Sequence, residues 1–362
     1  MGSTRVETVG VVGAGVIGMS IAAELASAGL EVIVIDPTPG RGASWAAAGM
    51  LAPAAEVAPG EEQLLVDLAE AAASWPRFAE RILAWGGCDV GYRATGSVLV
   101  GVSASDARDV ARSVATMRAT GIAVESLRGD ELADQEPSLG SLRSAWLLPG
   151  DHSVDNRRLV AGLLEALKAL GTRIIEDRCE RVVAEPKGIR LLLERQGDVR
   201  CDACVLATGA AAAVAGTESL GLPGVRPVRG ITLRLGASSG AAIPSRPIRA
   251  VVDASPCYLV PREDGSLVVG ATSEEQGREV ALAGGVHRLL DASRRVLPGI
   301  DELSFDETSV GLRPATEDHL PFVGTLRDRR VVAALGHYRN GILLAPLAAA
   351  TAAGLVRRAL CA

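Results

Sequence analysis

A glycine-rich turn near the start of the chain constrains the fold more than any other feature. Between Thr8 and Asp36 the sequence TVGVVGAGVIGMSIAAELASAGLEVIVID reads as strand, tight turn, helix and second strand. Val9, Val11 and Val12 form a short buried-strand pattern, and Ile17, Ile21 and Leu25 recur at helical spacing before Gly29 stops the helix. Ile33, Val34 and Ile35 make the second strand. At the turn, Gly13 lets the chain reverse sharply, Gly15 lets backbone N–H groups approach a pyrophosphate, and Gly18 lets the helix pack on the sheet. Phosphates then sit on the positive helix N-terminus, at Val16 and Ile17. Asp36 lies about 20 residues beyond the turn, where a carboxylate accepts from ribose hydroxyls and repels a 2′-phosphate. The segment predicts a dinucleotide site at the head of a parallel sheet.

Because Val9 to Leu30 is largely apolar, a leader or a membrane span is the competing reading. Glu24, the interrupting glycines and the lack of a charged n-region argue against both. A second apolar stretch, Gly341 to Val356, contains Pro346 and follows Arg339-Asn340-Gly341, so a buried helix is expected rather than an anchor. At 362 residues the chain is long enough for two domains. A net charge of −6 disfavours nucleic acid or an anionic membrane as the main partner. The six cysteines are scattered without a secreted-type framework, which makes a reducing cytoplasm the default. Cys201 and Cys204 form a single CxxC inside RCDACVLATG, which reads as one strand. With no second pair and only four histidines, buried thiols are expected and no metal site.

Small residues dominate Arg41 to Glu56, which lets a backbone lie close against a flat ligand. Leu64 to Leu83 has helical periodicity interrupted by Pro76, so two helices or a kink are open. Strands follow from Asp89, a helix from Asp106 to Thr120, and a loop-rich segment from Glu125 to Pro149. Residues 151–222 return to strand and helix, with a capped helix starting near Asp155. Residues 225–310 are strand-rich, and CYLVPREDGSLVVGAT is a hairpin turning at Asp264-Gly265. Val286 to Val296 gives a helix ended by Pro298-Gly299. SVGLRPATEDHLPFVG, with two prolines, is not expected to be a long regular element. RRVVAALGHYRNGILLAP predicts a strand, a turn and a helix beginning near Asn340. The expectation is a nucleotide domain in three pieces, 1–87, 151–222 and 311–362, interleaved with an antiparallel substrate domain at 88–150 and 223–310.

The pieces GAGVIG with Asp36, SWAAAGMLAP, VLATG, CYLVPREDG, GLRPATEDHLPFVG and GHYRNGILLAP resemble the D-amino-acid oxidase superfamily of flavoproteins, and within it the glycine oxidases of thiamine synthesis. They span nearly the whole chain in the family's order. The resemblance implies an α/β fold: a Rossmann-like FAD-binding domain of glutathione-reductase type, interleaved with an α+β antiparallel-sheet substrate domain. It implies noncovalent FAD, because GLRPATEDHLPF offers no cysteine for a link to the ring. Cofactor contacts are expected from Gly13, Gly15, Val16, Ile17, Gly18, Asp36, Ala43, Ser44, Ala48, Gly49, Met50, Val182 and Gly209. The second set is His337, Tyr338, Arg339, Asn340, Gly341, Ile342 and Leu343, whose helix N-terminus can stabilise an anionic reduced ring.

A substrate carboxylate calls for a bidentate guanidinium. The resemblance makes Arg313 the principal clamp, with Arg339 and Tyr258 assisting. No acid or base emerges as obligatory; the flavin does the chemistry, with orientation by Arg313. His337 is open between tuning the flavin and a structural role, and His152, His287 and His319 are assigned none. Pro256 and Ser273 stand where relatives carry other pocket side chains, and Cys257 is expected to point away from Tyr258. The implied activity is oxidation of glycine and small amines or D-amino acids, with O2 as acceptor and H2O2 released. The imine is hydrolysed or used in thiazole synthesis. A cytoplasmic homo-oligomer, of tetrameric type, is part of the same implication. The alternatives are a D-amino-acid dehydrogenase or sarcosine/proline oxidase of the same fold, a nicotinamide (NAD) dehydrogenase, and a noncatalytic nucleotide-binding scaffold.

Overall fold

Two sheets meet beside the glycine turn, and the cleft between them is where the chain's small residues collect. The computed structural model describes residues 6–54, 63–211, 214–236 and 241–361. Residues 55 and 56 of the small-residue segment lie outside the described residues.

The first sheet has six strands in the order Phe322–Thr325, Val331–Leu335, Ala203–Leu206, Thr8–Val12, Glu31–Ile35 and Arg173–Ile175. All its pairings are parallel except that of Phe322–Thr325 with Val331–Leu335. Its four inner strands are buried on both faces, which is why they read as continuous apolar runs rather than alternating ones. Sequence neighbours leave Thr8–Val12 in opposite directions, so the crevice at its C-terminal end is a topological switch point. Gly13 sits there with φ +103°, its N–H donating to the Ile35 carbonyl at 2.8 Å. The helix Val16–Ser27 follows and packs against Gly341–Leu360.

By length and apolarity that last helix could cross a membrane, but it packs between Val16–Ser27 and Leu64–Gly86, and its apolar side chains belong to the main core. The expected buried helix is what forms. Leu64–Gly86 runs unbroken through Pro76, settling the choice between two helices and one. Pro76 lies on the exposed face, where water can take up the carbonyl it deprives of a donor. Next to it Trp75 is fully buried and donates from Nε1 to the Leu343 carbonyl at 2.9 Å.

The second sheet has eight strands, ordered Ser304–Ala315, Arg226–Gly236, Leu267–Gly270, Ser255–Pro261, Ile248–Val252, Ser97–Gly101, Ser144–Leu148 and Glu125–Leu127. Three expectations are corrected here. The segment read as loop-rich between Glu125 and Pro149 holds two strands of this sheet and the short helix Gly129–Gln135. SVGLRPA, read as irregular because of its proline, is the end of a twelve-residue strand. Ser304–Ala315 is an edge strand, so Pro314, opposite Pro227, removes no hydrogen bond from a central ladder. It also crosses residue 311, where the nucleotide domain was expected to resume. RCDACVLATG, read as one strand, divides into Asp198–Cys201 and Ala203–Leu206 in different sheets, and Asp202 between them accepts the Thr8 N–H at 2.9 Å.

Candidate active site

Strand register decides which side chains face the cleft. Arg249, Tyr258, Gly270 and Thr232 are opposite one another across four neighbouring strands, and so share one face of the large sheet. Gly230, two residues before Thr232, is opposite Gly311, and Arg313 stands two residues beyond Gly311 on the same face. This face meets the small-residue segment. The Thr232 hydroxyl donates to the Ala46 carbonyl at 2.7 Å, and a β-carbon on Gly311 would come within 2.8 Å of Ala46 Cβ. Glycine at 230, 270 and 311 clears the floor of the cleft. The Arg313 guanidinium lies over Gly230, and the Tyr258 ring lies over Gly270. One Arg313 nitrogen donates to the Thr272 carbonyl at 3.1 Å, which fixes where the guanidinium stands.

The cleft is a cavity of about 1310 Å³ running from the glycine turn to this floor. That exceeds the roughly 300–1,000 Å³ of a pocket for one small ligand, leaving space for a dinucleotide and a substrate together. Of the residues expected from the sequence, Gly13, Gly15, Val16, Ile17, Asp36, Ala43, Ser44, Ala48, Gly49, Met50 and Gly209 line it. So do His337, Tyr338, Arg339, Gly341, Ile342, Tyr258, Arg313, Pro256 and Ser273.

Three of the remaining four contribute from behind the wall. A β-carbon on Gly18 would collide with the Gly13 carbonyl, so its role is helix–turn packing. Asn340 is buried as N-cap of Gly341–Leu360, and Leu343 accepts from Trp75. Val182 is not among the residues lining the cavity; its side chain is buried among Cys179, Ile189 and Val214, and its N–H donates to Ala215 O at 2.9 Å. From that strand region the lining comes instead from Arg178, Cys179 and Glu180. The period-two pattern of ERVVAE located the strand but not which end of it meets the ligand.

The turn is pinned by its own neighbours. Asp36 accepts the Ala14 N–H and the Thr38 N–H, each at 2.7 Å, and Ser44 accepts the Val16 N–H at 3.0 Å, tying the turn to the small-residue segment. His337 is buried, and burial without a partner for its charged form holds its pKa down to about 4, so the ring is neutral. Two buried polar atoms on the cavity wall, His337 Nε2 and Thr208 Oγ1, find no hydrogen-bond partner among the described residues. Glycines whose β-carbons would fill the turn, a helix N-terminus and orphaned polar atoms together fit a large polar cofactor with a flat ring. Cys257 is buried on the opposite face from Tyr258, and burial pushes its thiol up to about 12. Cys201 is likewise buried and pushed up to about 12.

A family model described as FAD dependent oxidoreductase matches residues 8–355. The chain belongs to that family. FAD is therefore its cofactor, and the turn, the sheet order and the cleft are those of a flavoenzyme. The chain is 35% identical over 359 residues to a glycine oxidase of Geobacillus kaustophilus, covering 97% of this chain and 93% of that protein. The crystal structure of glycine oxidase from Geobacillus kaustophilus superposes with a TM-score of 0.89 at 32% identity, covering 97% of this chain and 95% of that one. A bifunctional ThiO/ThiG protein of Synechocystis is 34% identical over 353 residues; these are 96% of this chain but only 51% of that protein, so the chain spans about half its length.

Sequence reasoning missed Thr232, Arg249 and Thr272 on the cavity wall. The alternation in RGITLRLG carried the signal for Thr232, since it places Gly230, Thr232 and Arg234 on one face. For Arg249 and Thr272 only the pairing of the strands supplies the information.

Proposed function

We propose that this chain is an FAD-dependent oxidase of glycine and related small amines or D-amino acids, using oxygen and releasing hydrogen peroxide. The observation that carries this reading is the Arg313 guanidinium, held over Gly230 in the cleft floor by the Thr272 carbonyl. One donor is occupied there, and the rest of the fork suits a substrate carboxylate. Arg339 and Tyr258, on the same cavity, assist in placing it. Asp36 would hold the adenosine end of FAD, Gly13 and Gly15 its pyrophosphate, and Ala43–Met50 with Gly341-Ile342 its ring. Bound there, FAD would supply the acceptor for a hydride from the substrate α-carbon and the route for the electrons to oxygen.

The protein's own part is placement. Arg313 binds the carboxylate, Tyr258 and Pro256 wall the substrate, and the N–H groups opening Gly341–Leu360 supply positive potential to the site. The neutral His337 cannot repel a positive charge developing on the substrate nitrogen. No side chain is asked to remove a proton from carbon; the amine reacts as the free base and leaves as an imine, which water converts to the oxo acid and ammonia. The similarity to ThiO proteins supports use of that imine in thiamine thiazole synthesis. Free, mostly buried thiols favour the cytoplasm, and assembly as a homo-oligomer completes the reading.

The test is peroxide release under air from glycine, sarcosine, D-alanine and D-proline. Peroxide from glycine supports the proposal. Reduction of an artificial quinone without oxygen uptake would replace it with a dehydrogenase of the same fold.

A further inference from the structure

The carbonyl groups of Ser44 to Ala48 are gathered by side chains from other parts of the chain. Asn156, the first residue of Asn156–Ala169, donates from Nδ2 to the carbonyls of Ser44 at 2.8 Å and Trp45 at 2.9 Å. Thr232 takes Ala46. Arg234, from the same strand of the large sheet, reaches the carbonyls of Trp45 and Ala47, both at 3.3 Å. Arg262, just past the strand Ser255–Pro261, donates to Ala48 O at 2.8 Å and Val154 O at 3.3 Å. Both guanidiniums also donate to Asn156 Oδ1, at 3.2 and 3.1 Å, so the three side chains form one network.

Holding two cations here is expensive. Arg262 is 7% exposed, and desolvation lowers its pKa; Arg234 is lowered to about 10, by desolvation first and then by the neighbouring charges of Arg157 and Arg262. Their main acceptors are neutral carbonyls rather than carboxylates; Asp155 stands 3.6 Å from Arg262. A simple inter-sheet contact could be made by apolar groups at less expense. What guanidiniums do that apolar groups cannot is fix the direction of several carbonyls at once. In a planar trans peptide the next residue's N–H points opposite to the carbonyl. The Ala46 N–H belongs to the short helix Ala43–Ala46, but with the carbonyls of Ala47 and Ala48 drawn toward Arg234 and Arg262, the N–H groups of Ala48 and Gly49 point the other way. Ala48 and Gly49 line the cavity, whereas Arg234, Arg262 and Asn156 do not.

We infer that Arg234 and Arg262, joined through Asn156, are positioning residues for FAD: they orient the Ala47–Gly49 peptides so that the Ala48 and Gly49 N–H edges face the cofactor. Because these arginines come from the large sheet and the glycine turn from the small one, the cradle is complete only when both sheets are docked. The inference rests on FAD as cofactor and is independent of which amine is oxidised.

The experiment titrates the deflavinated full-length protein with FAD, following flavin fluorescence, and records the visible spectrum at saturation. Arg234→Met and Arg262→Met are expected to raise the Kd for FAD about 10- to 100-fold, the range for lost hydrogen bonds to charged donors, and to shift the bound-flavin bands. A purely structural role would lower the melting temperature and leave both readouts alone, so a Kd within twofold of wild type in the folded variants overturns the inference. Should Arg234→Met fail to fold, Arg234→Lys decides. It keeps the cation but cannot span the same carbonyls, so a Kd raised several-fold supports the inference and a wild-type Kd overturns it.

Discussion

The central carbon of the Arg313 guanidinium lies 2.6 Å from where a β-carbon on Gly230 would stand. The glycine is thus part of the clamp, although it carries no chemistry. Gly230→Ala is expected to push the guanidinium aside rather than disrupt the strand, because the clashing group is the end of a flexible side chain. The KM for glycine should rise about tenfold with FAD still bound, roughly the loss of one charge-assisted hydrogen bond. Steady-state kinetics at saturating oxygen measures this, and an unchanged KM would place the carboxylate elsewhere.

Removing the guanidinium itself goes further. Arg313→Ala should raise KM by about 100-fold or more, and Arg313→Lys should recover little, since an ammonium cannot bond the Thr272 carbonyl and a carboxylate in the same fork geometry. Flavin absorbance through gel filtration should match wild type in both. Loss of flavin from Arg313→Ala would show that the residue supports the cofactor instead.

Much of this was legible in the chain because local chemistry specified it. The glycine turn, Asp36, the capped helix after Asp155 and the hairpin at Asp264-Gly265 each depend on neighbours within a few residues. What sequence could not show depends on partners far along the chain. Pro314 looked like a strand breaker until the pairing placed it on an edge, and which residues of Cys179–Glu185 line the cavity is set by how that strand packs in the fold. Arg234 and Arg262 read as two cations among thirty-seven Lys and Arg residues, and only the folded sheet brings them to the carbonyls of Trp45, Ala47 and Ala48.

Burial of His337 makes a pH prediction with a definite sign. Its folded-state pKa, about 4, lies below the ordinary histidine value of 6.5, so the unfolded chain binds the extra proton first. The stability this contributes is present above pH 6.5 and is lost as the pH falls toward 4, by on the order of 3 kcal/mol over the window. Glu307, held down to about 2 chiefly by its hydrogen bonds from Arg157, adds a separate loss below pH 4.5. Urea unfolding of the apoprotein between pH 7 and pH 4.5 checks the first window. His337→Gln should flatten the slope there, and an unchanged slope would exclude His337 as its source.

The thiols provide the last prediction. Cys361 is exposed and Cys88 half-buried, whereas Cys179, Cys201, Cys204 and Cys257 are buried with their pKa values raised by desolvation. A thiolate-selective reagent at pH 8 should therefore label Cys361 quickly, Cys88 more slowly, and the other four only on unfolding. Cys179 is the informative one, since it lines the cavity wall yet its thiol is pushed up to about 11. A thiol so reluctant to ionise is poorly suited to attack a flavin. Acid precipitation of the yellow protein should accordingly leave all flavin in the supernatant, and flavin retained on the pellet, mapped to a cysteine peptide, would overturn the noncovalent assignment.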